Sequence, residues 1–143
     1  MIESSSISII PFTKPCNAEV AVPGSKSISN RALILSVMCD AEVELIGLLE
    51  SEDVNLMKEA LQNLGITIIK EGNNYLVYGK NGLLPKNDCS INVGNAGTIA
   101  RFLTCLLASQ NQGKYNMDGT DAMRKRPMRS EEHTSELQSP DHL

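Results

Sequence analysis

The chain has 143 residues, enough for one domain with a real hydrophobic core. Hydrophobic residues make up 41% and charged residues 21%, the balance of a soluble globular protein, and no apolar run approaches the length of a membrane span. The net charge of −4 sits mostly in residues 129–143, with one basic and four acidic side chains, so the body is near neutral; with 3% aromatic residues it offers no nucleic-acid surface.

Met1 is followed by no basic n-region, so a secretory leader is not expected and the cytoplasm is the default location. Residues 6–10 read as a short strand ended by Pro11. Residues 18–22 alternate in character and read as a second strand, leading into the Pro23-Gly24 turn. A polar run with one lysine then opens a helix over 27–39. Its apolar surface is nearly continuous after Arg31, so most of it is expected to be buried. A helix starting near Ser27 turns its free N–H groups toward Lys26, and Arg31 projects from one turn further in. Backbone donors, helix dipole, hydroxyl, ammonium and guanidinium then converge, which is what a phosphate or carboxylate needs. The plainer reading is an ordinary serine N-cap beside a solvated lysine. The spacing of a Walker A loop occurs nowhere in the chain.

Residues 41–49 alternate as a strand, with Val43 and Leu45 on one face and Glu42, Glu44 and Ile46 on the other. Ser51 caps the next helix. Glu52 and Asp53 complement its dipole, a commoner role in a first turn than catalysis. Val54, Met57, Leu61 and Leu64 form its apolar stripe, and Gly65 fits the position just past its end. Residues 66–70 and 75–78 form a hairpin about Gly72-Asn73. After a loop over 81–88 come a strand at 90–93, a helix at 98–109 and a strand at 114–117. The order is mixed α/β, with a hint of a repeated strand, glycine turn, helix and strand.

Gly94-Asn95-Ala96-Gly97-Thr98 stands in the second unit where Gly24 to Ser27 stands in the first. Gly97 permits close backbone approach, Thr98 is placed to cap, and Arg101 lies one turn into the helix. Arg124-Lys125-Arg126-Pro127 is the dense basic cluster of the body. Pro127 holds Arg126 extended, so Arg124 and Arg126 are expected to share one face. Three segments thus offer anion-binding groups, favouring a small, multiply charged, phosphorylated ligand. The four cysteines are widely spaced, so neither a disulfide framework nor a metal site is expected, and Cys39 and Cys105 read as buried small hydrophobes. Both histidines, His133 and His142, lie in the last fifteen residues, so the body cannot assemble a Ser-His-Asp or Cys-His mechanism.

The segments Pro-Gly-Ser-Lys-Ser-Ile-Ser-Asn-Arg-Ala-Leu (23–33), Gly-Asn-Ala-Gly-Thr (94–98) and Arg-Lys-Arg-Pro-Met (124–128), in this order and at this separation, resemble the 5-enolpyruvylshikimate-3-phosphate synthase family. The match spans about residues 5–128. The sister UDP-N-acetylglucosamine enolpyruvyl transferases carry an Ala-Lys-Asn version of Ser25-Lys26-Ser27, so the serines favour the shikimate family. The resemblance implies transfer of the enolpyruvyl group of phosphoenolpyruvate to the 5-hydroxyl of shikimate 3-phosphate. The hydroxyl adds to C2 while C3 gains a proton, and the tetrahedral intermediate then loses phosphate, with no cofactor. By resemblance Lys26, Ser27 and Arg31 contact shikimate 3-phosphate. Lys26, Gly97 and Arg126 contact phosphoenolpyruvate, Asn95 and Thr98 shape that turn, and Arg101 has a structural role. Phe102 stands where many members have proline or leucine.

The resemblance implies that complete members are several times longer and form two globes of βαβαββ units, an inverse α/β barrel arrangement, working as a monomer without membrane or nucleic-acid partners. About the first third is present here. Residues 1–20 are expected to complete the globe built from the later part of the chain, and 21–128 to form part of the other globe. Residues 129–143 read as adapter-like sequence outside the fold. No turnover is expected from this chain alone. Two other readings stay open: a sister enolpyruvyl transferase, and a non-catalytic phosphate-binding module using the same three segments.

Overall fold

The structure is a computed structural model and describes residues 7–127. Helix α1 (Lys26–Met38) turns Asn30, Leu33 and Val37 inward, the i, i+3 and i+7 spacing of one helical face. Its C-terminal carbonyls are taken up by the 79–82 loop: Lys80 and Gly82 N–H donate to Val37 O, and Asn81 N–H to Cys39 O. A side chain at Gly79 would collide with the backbone oxygens of Ser36, Cys39 and Ala41, so this close approach requires glycine.

Strand β1 (Glu42–Leu45) follows, then α2 (Glu52–Asn63), with the Ser51 hydroxyl accepting from Val54 N–H at 3.4 Å. Val54, Met57, Ala60, Leu61 and Leu64 are buried. The helix closes as expected at Gly65, whose φ is +94°. Ile66 N–H donates to Leu61 O and Gly65 N–H to Gln62 O, the paired bonds of a Schellman end. Strands β2 (Ile68–Glu71) and β3 (Asn74–Tyr78) form the expected hairpin, and β3 also pairs with β1. The resulting antiparallel sheet has the order β1-β3-β2.

Strand β4 (Asp88–Asn92), helix α3 (Gly97–Ala108) and strand β5 (Lys114–Asp118) make a parallel crossover unit, with Asp88 opposite Lys114 and Asn92 opposite Asp118. A short helix, α4 (Asp121–Arg124), ends the described chain. Leu33 and Val37 of α1, Met57 and Leu61 of α2, and Ile99 and Leu103 of α3 meet in one core with Val77 and Ile91 from the sheets.

Several expectations need correction. Residues 18–22 and 7–10 form no strand and are exposed throughout; without a neighbouring strand their alternation has no face to bury. Residue 6 lies outside the described residues. Helix α1 is buried on one side only: Leu35 and Ile28 stay 61% and 68% exposed. Cys39 and Cys105 are exposed, the first as the cap of α1 and the second opposite the Ile99–Leu103–Leu106 stripe. His133 and His142 lie outside the described residues, as does the whole 129–143 segment.

Candidate anion-binding site

The N-termini of α1, α2 and α3 open onto one polar cavity of about 560 Å³, lined by Lys26, Asp53, Asn95, Gly97, Thr98, Arg101 and Arg126, among others. The three helix ends differ in charge. At α2 the Ser51 cap and the carboxylates of Glu52 and Asp53 offset the dipole. At α1 the N-cap Ser25 makes no side-chain cap bond and no acid occupies the first turn. The first intrahelical bond runs from Ser29 N–H to Ser25 O, so the N–H groups of residues 26–28 precede the ladder. The same holds at α3, where the N-cap is Ala96 and the first bond runs from Ala100 N–H to Ala96 O. Thr98 therefore does not cap α3. The turn ends two residues earlier, and Thr98 falls in the first helical turn, on the cavity wall.

The α3 turn is held rigidly. Gly94 has φ +56°, its N–H donates to Asn92 Oδ1 at 2.9 Å, and Ala96 N–H donates to Val93 O. Thr120 N–H donates to Gly94 O, and Val93 N–H to Asp118 O, so the turns after β4 and β5 brace one another. Thr120 caps α4 through Met123 N–H. Arg124 then reaches back to Asp118 through Nε at 2.8 Å and Nη2 at 2.6 Å, and to Asp121 at 2.8 Å. That bidentate grip, helped by Gly119 N–H, holds the Asp118 carboxyl well below its ordinary range, at about 2.

Arg124 and Arg126 consequently do different work, although both border one shallow cavity beside the end of β5. Helix α4 ends before the residue preceding Pro127, which is where proline stops a helix. Arg124 is spent on Asp118 and Asp121, whereas Arg126 lies across the start of α3. Its Nη1 makes a long bond to Asn95 O at 3.5 Å and sits 3.0 Å from where a Cβ on Gly97 would stand. Gly97 is thus the position that lets a guanidinium approach this helix end.

Lys26, Asn95, Gly97, Thr98 and Arg126 are brought together, and Arg101 joins them on the cavity wall. Ser27 and Arg31 do not line it. Arg31 lies along the neighbouring flank of α1, with Nη1 donating to Ser27 O at 3.0 Å and its guanidinium over the Phe102 ring. Asp53 was legible only as a dipole partner. The structure adds an ion pair from its carboxylate to Lys26 Nζ at 2.9 Å, in the cavity itself. No sequence signal links positions 26 and 53; the meeting of two helix N-termini creates the contact. Among the described residues, no cluster of His, Cys, Asp or Glu is arranged to hold a metal ion.

The family model for EPSP synthase (3-phosphoshikimate 1-carboxyvinyltransferase) matches residues 11–139. The chain belongs to the EPSP synthase family. The 3-phosphoshikimate 1-carboxyvinyltransferase of Opitutus terrae is 48% identical over 124 residues, covering 85% of this chain and 29% of that protein. That of Cupriavidus necator is 42% identical over 118 residues, covering 82% of this chain and 27% of that one. In structure the chain is similar to EPSP synthase from Acinetobacter baumannii, with a TM-score of 0.65 and 26% identity over 76% of this chain and 25% of that one. The enolpyruvyl transferase fold is therefore present in part: the chain spans less than a third of the length of these relatives. Among the described residues, no helix is long and apolar enough to cross a membrane.

Proposed function

We propose that this EPSP synthase family chain supplies the phosphoenolpyruvate-binding part of an enolpyruvyl transferase acting on shikimate 3-phosphate. The observation that carries this reading is the convergence of Lys26, Arg126 and two helix N-termini without acidic first turns on one cavity. A carboxylate or phosphate there meets a rigid array of donors. Arg126 suits a bidentate grip and Lys26 a point contact. Groups fixed before the substrates arrive need no reorganisation as the tetrahedral intermediate gives up a C3 proton, the C2=C3 bond re-forms and the C2–O bond to phosphate breaks, its electron pair leaving with the phosphate. Ser27 and Arg31, on the flank of α1, form the start of the shikimate 3-phosphate site.

The experiment is titration of the ¹⁵N-labelled chain with millimolar phosphoenolpyruvate. The amides of Lys26, Gly97 and Thr98 are expected to shift together. Gly97→Ala should leave the fold intact, because its methyl meets only the mobile end of Arg126, but weaken binding by roughly tenfold. Shifts confined to the β2–β3 hairpin, or an unchanged Gly97→Ala affinity, would overturn the assignment.

A further inference from the structure

Phe102 lies in α3, and the structure gives its ring a cationic partner on α1. The ring packs against the core where α3 faces α1, so the surrounding apolar side chains fix its orientation. The Arg31 guanidinium carbon lies 5.4 Å from the ring centroid, within cation–π range. Arg31 Nη1 also donates to Ser27 O, one turn earlier in α1. Two different restraints therefore act on one guanidinium: a carbonyl on its own helix and an aromatic ring on the next. A free arginine side chain has many rotamers to lose, and ordering it before a ligand arrives lowers the cost of binding. Four of its five N–H donors remain for an oxyanion once Ser27 O has taken one.

We infer that Phe102 is a positioning residue, whose ring holds Arg31 on the flank of α1, apart from the Lys26–Arg126 cavity, to receive the second anionic substrate. A proline or leucine at 102 has no π face and leaves Arg31 with the Ser27 carbonyl alone. The inference rests on the reading of Arg31 as a shikimate 3-phosphate contact, but the ring contact is measurable without any ligand.

The test uses the 143-residue chain with ¹⁵N-labelled arginine and the variants Phe102→Leu and Phe102→Tyr. The Arg31 Nε–Hε resonance is expected to lose its ring-current shift in Phe102→Leu and keep it in Phe102→Tyr. Leu33 and Leu103 methyl signals report that the core stays packed. Shikimate 3-phosphate affinity should fall about two- to fivefold in Phe102→Leu, the range an exposed cation–π contact supports, and recover in Phe102→Tyr. An Arg31 resonance that is unchanged in Phe102→Leu, or displaced equally by Phe102→Tyr, overturns the inference. An Arg31 signal that moves in Phe102→Leu yet ignores shikimate 3-phosphate in the parent chain upholds the positioning and instead refutes the substrate assigned to Arg31.

Discussion

Asp53, with Glu52 beside it on the wall, places negative charge inside a cavity that also gathers Lys26, Arg101 and Arg126, and it pairs with the lysine that an anion needs. A ligand arriving at Lys26 must share it with this carboxylate or displace it. Asp53→Asn keeps the shape and removes the charge. We expect it to tighten inorganic phosphate binding by roughly three- to tenfold, since a unit charge about 4 Å away in a water-like medium contributes ~1 kcal/mol. Calorimetric titration measures this, and unchanged or weaker binding would show that Asp53 orients Lys26 rather than competing for its ligand. Lys26, Gly97 and Arg126 were legible in the sequence because their chemistry is local: a lysine beside a helix start, a glycine in a turn, an arginine before proline. Asp53 was not, because an acid in a first helical turn has a sufficient local explanation, and only packing shows a second use.

Two carboxylates tie elements together in ways that pH can test. Asp118 anchors α4 to the end of β5 through Arg124. Glu50, just before α2, accepts from Lys70 of β2 at 2.7 Å, from the Tyr75 hydroxyl of β3 and from Lys58 of α2 at 3.3 Å, binding the hairpin to the helix. Lys70 foremost, then Tyr75, holds the Glu50 carboxyl down at about 2, as Arg124 does for Asp118. Both folded values lie below the ordinary 4.5 and 3.8. Each pair's stabilisation is therefore fully present above those ordinary values and is lost as pH falls through about 2. Carboxyl ¹³C titration should place both midpoints near 2, with thermal stability declining between pH 4 and 2. Midpoints at the ordinary values would mean the pairs are solvated in solution, as many exposed pairs are.

The elements most legible in the sequence were those whose signals are complete within a few residues. Helix α2 has its cap, stripe and closing glycine, and the β2–β3 hairpin has its two-residue turn. Helix α4 was missed because its Thr120 cap opens only one turn before Pro127 ends it. The strands expected at 6–10 and 18–22 show the opposite error. Alternation describes a segment's capacity to bury one face, but a strand also requires a neighbour for its backbone groups, and none adjoins residues 7–23 among the described residues.

At the scale of the molecule, the same open surfaces indicate what this chain does alone. Ile28, Leu35 and Met38 form an exposed apolar stripe on α1, and β1, β2, β4 and β5 each have an edge without a partner strand among the described residues. We propose that in the longer family members further chain covers these surfaces and that the segment before residue 21 pairs with the other globe. The fold class was legible because the three motifs are specific. How the globes are completed was not, since that depends on residues distant in sequence from all of them.

The most direct measurement replaces the matching segment of the Opitutus terrae relative with residues 21–127 of this chain. Phosphate release from shikimate 3-phosphate and phosphoenolpyruvate is then assayed. The account predicts turnover within about tenfold of the parent, a loss of at least roughly a hundredfold on Arg126→Ala, and none from the 143-residue chain by itself. A folded chimera that releases no phosphate, or one indifferent to Arg126→Ala, would contradict it.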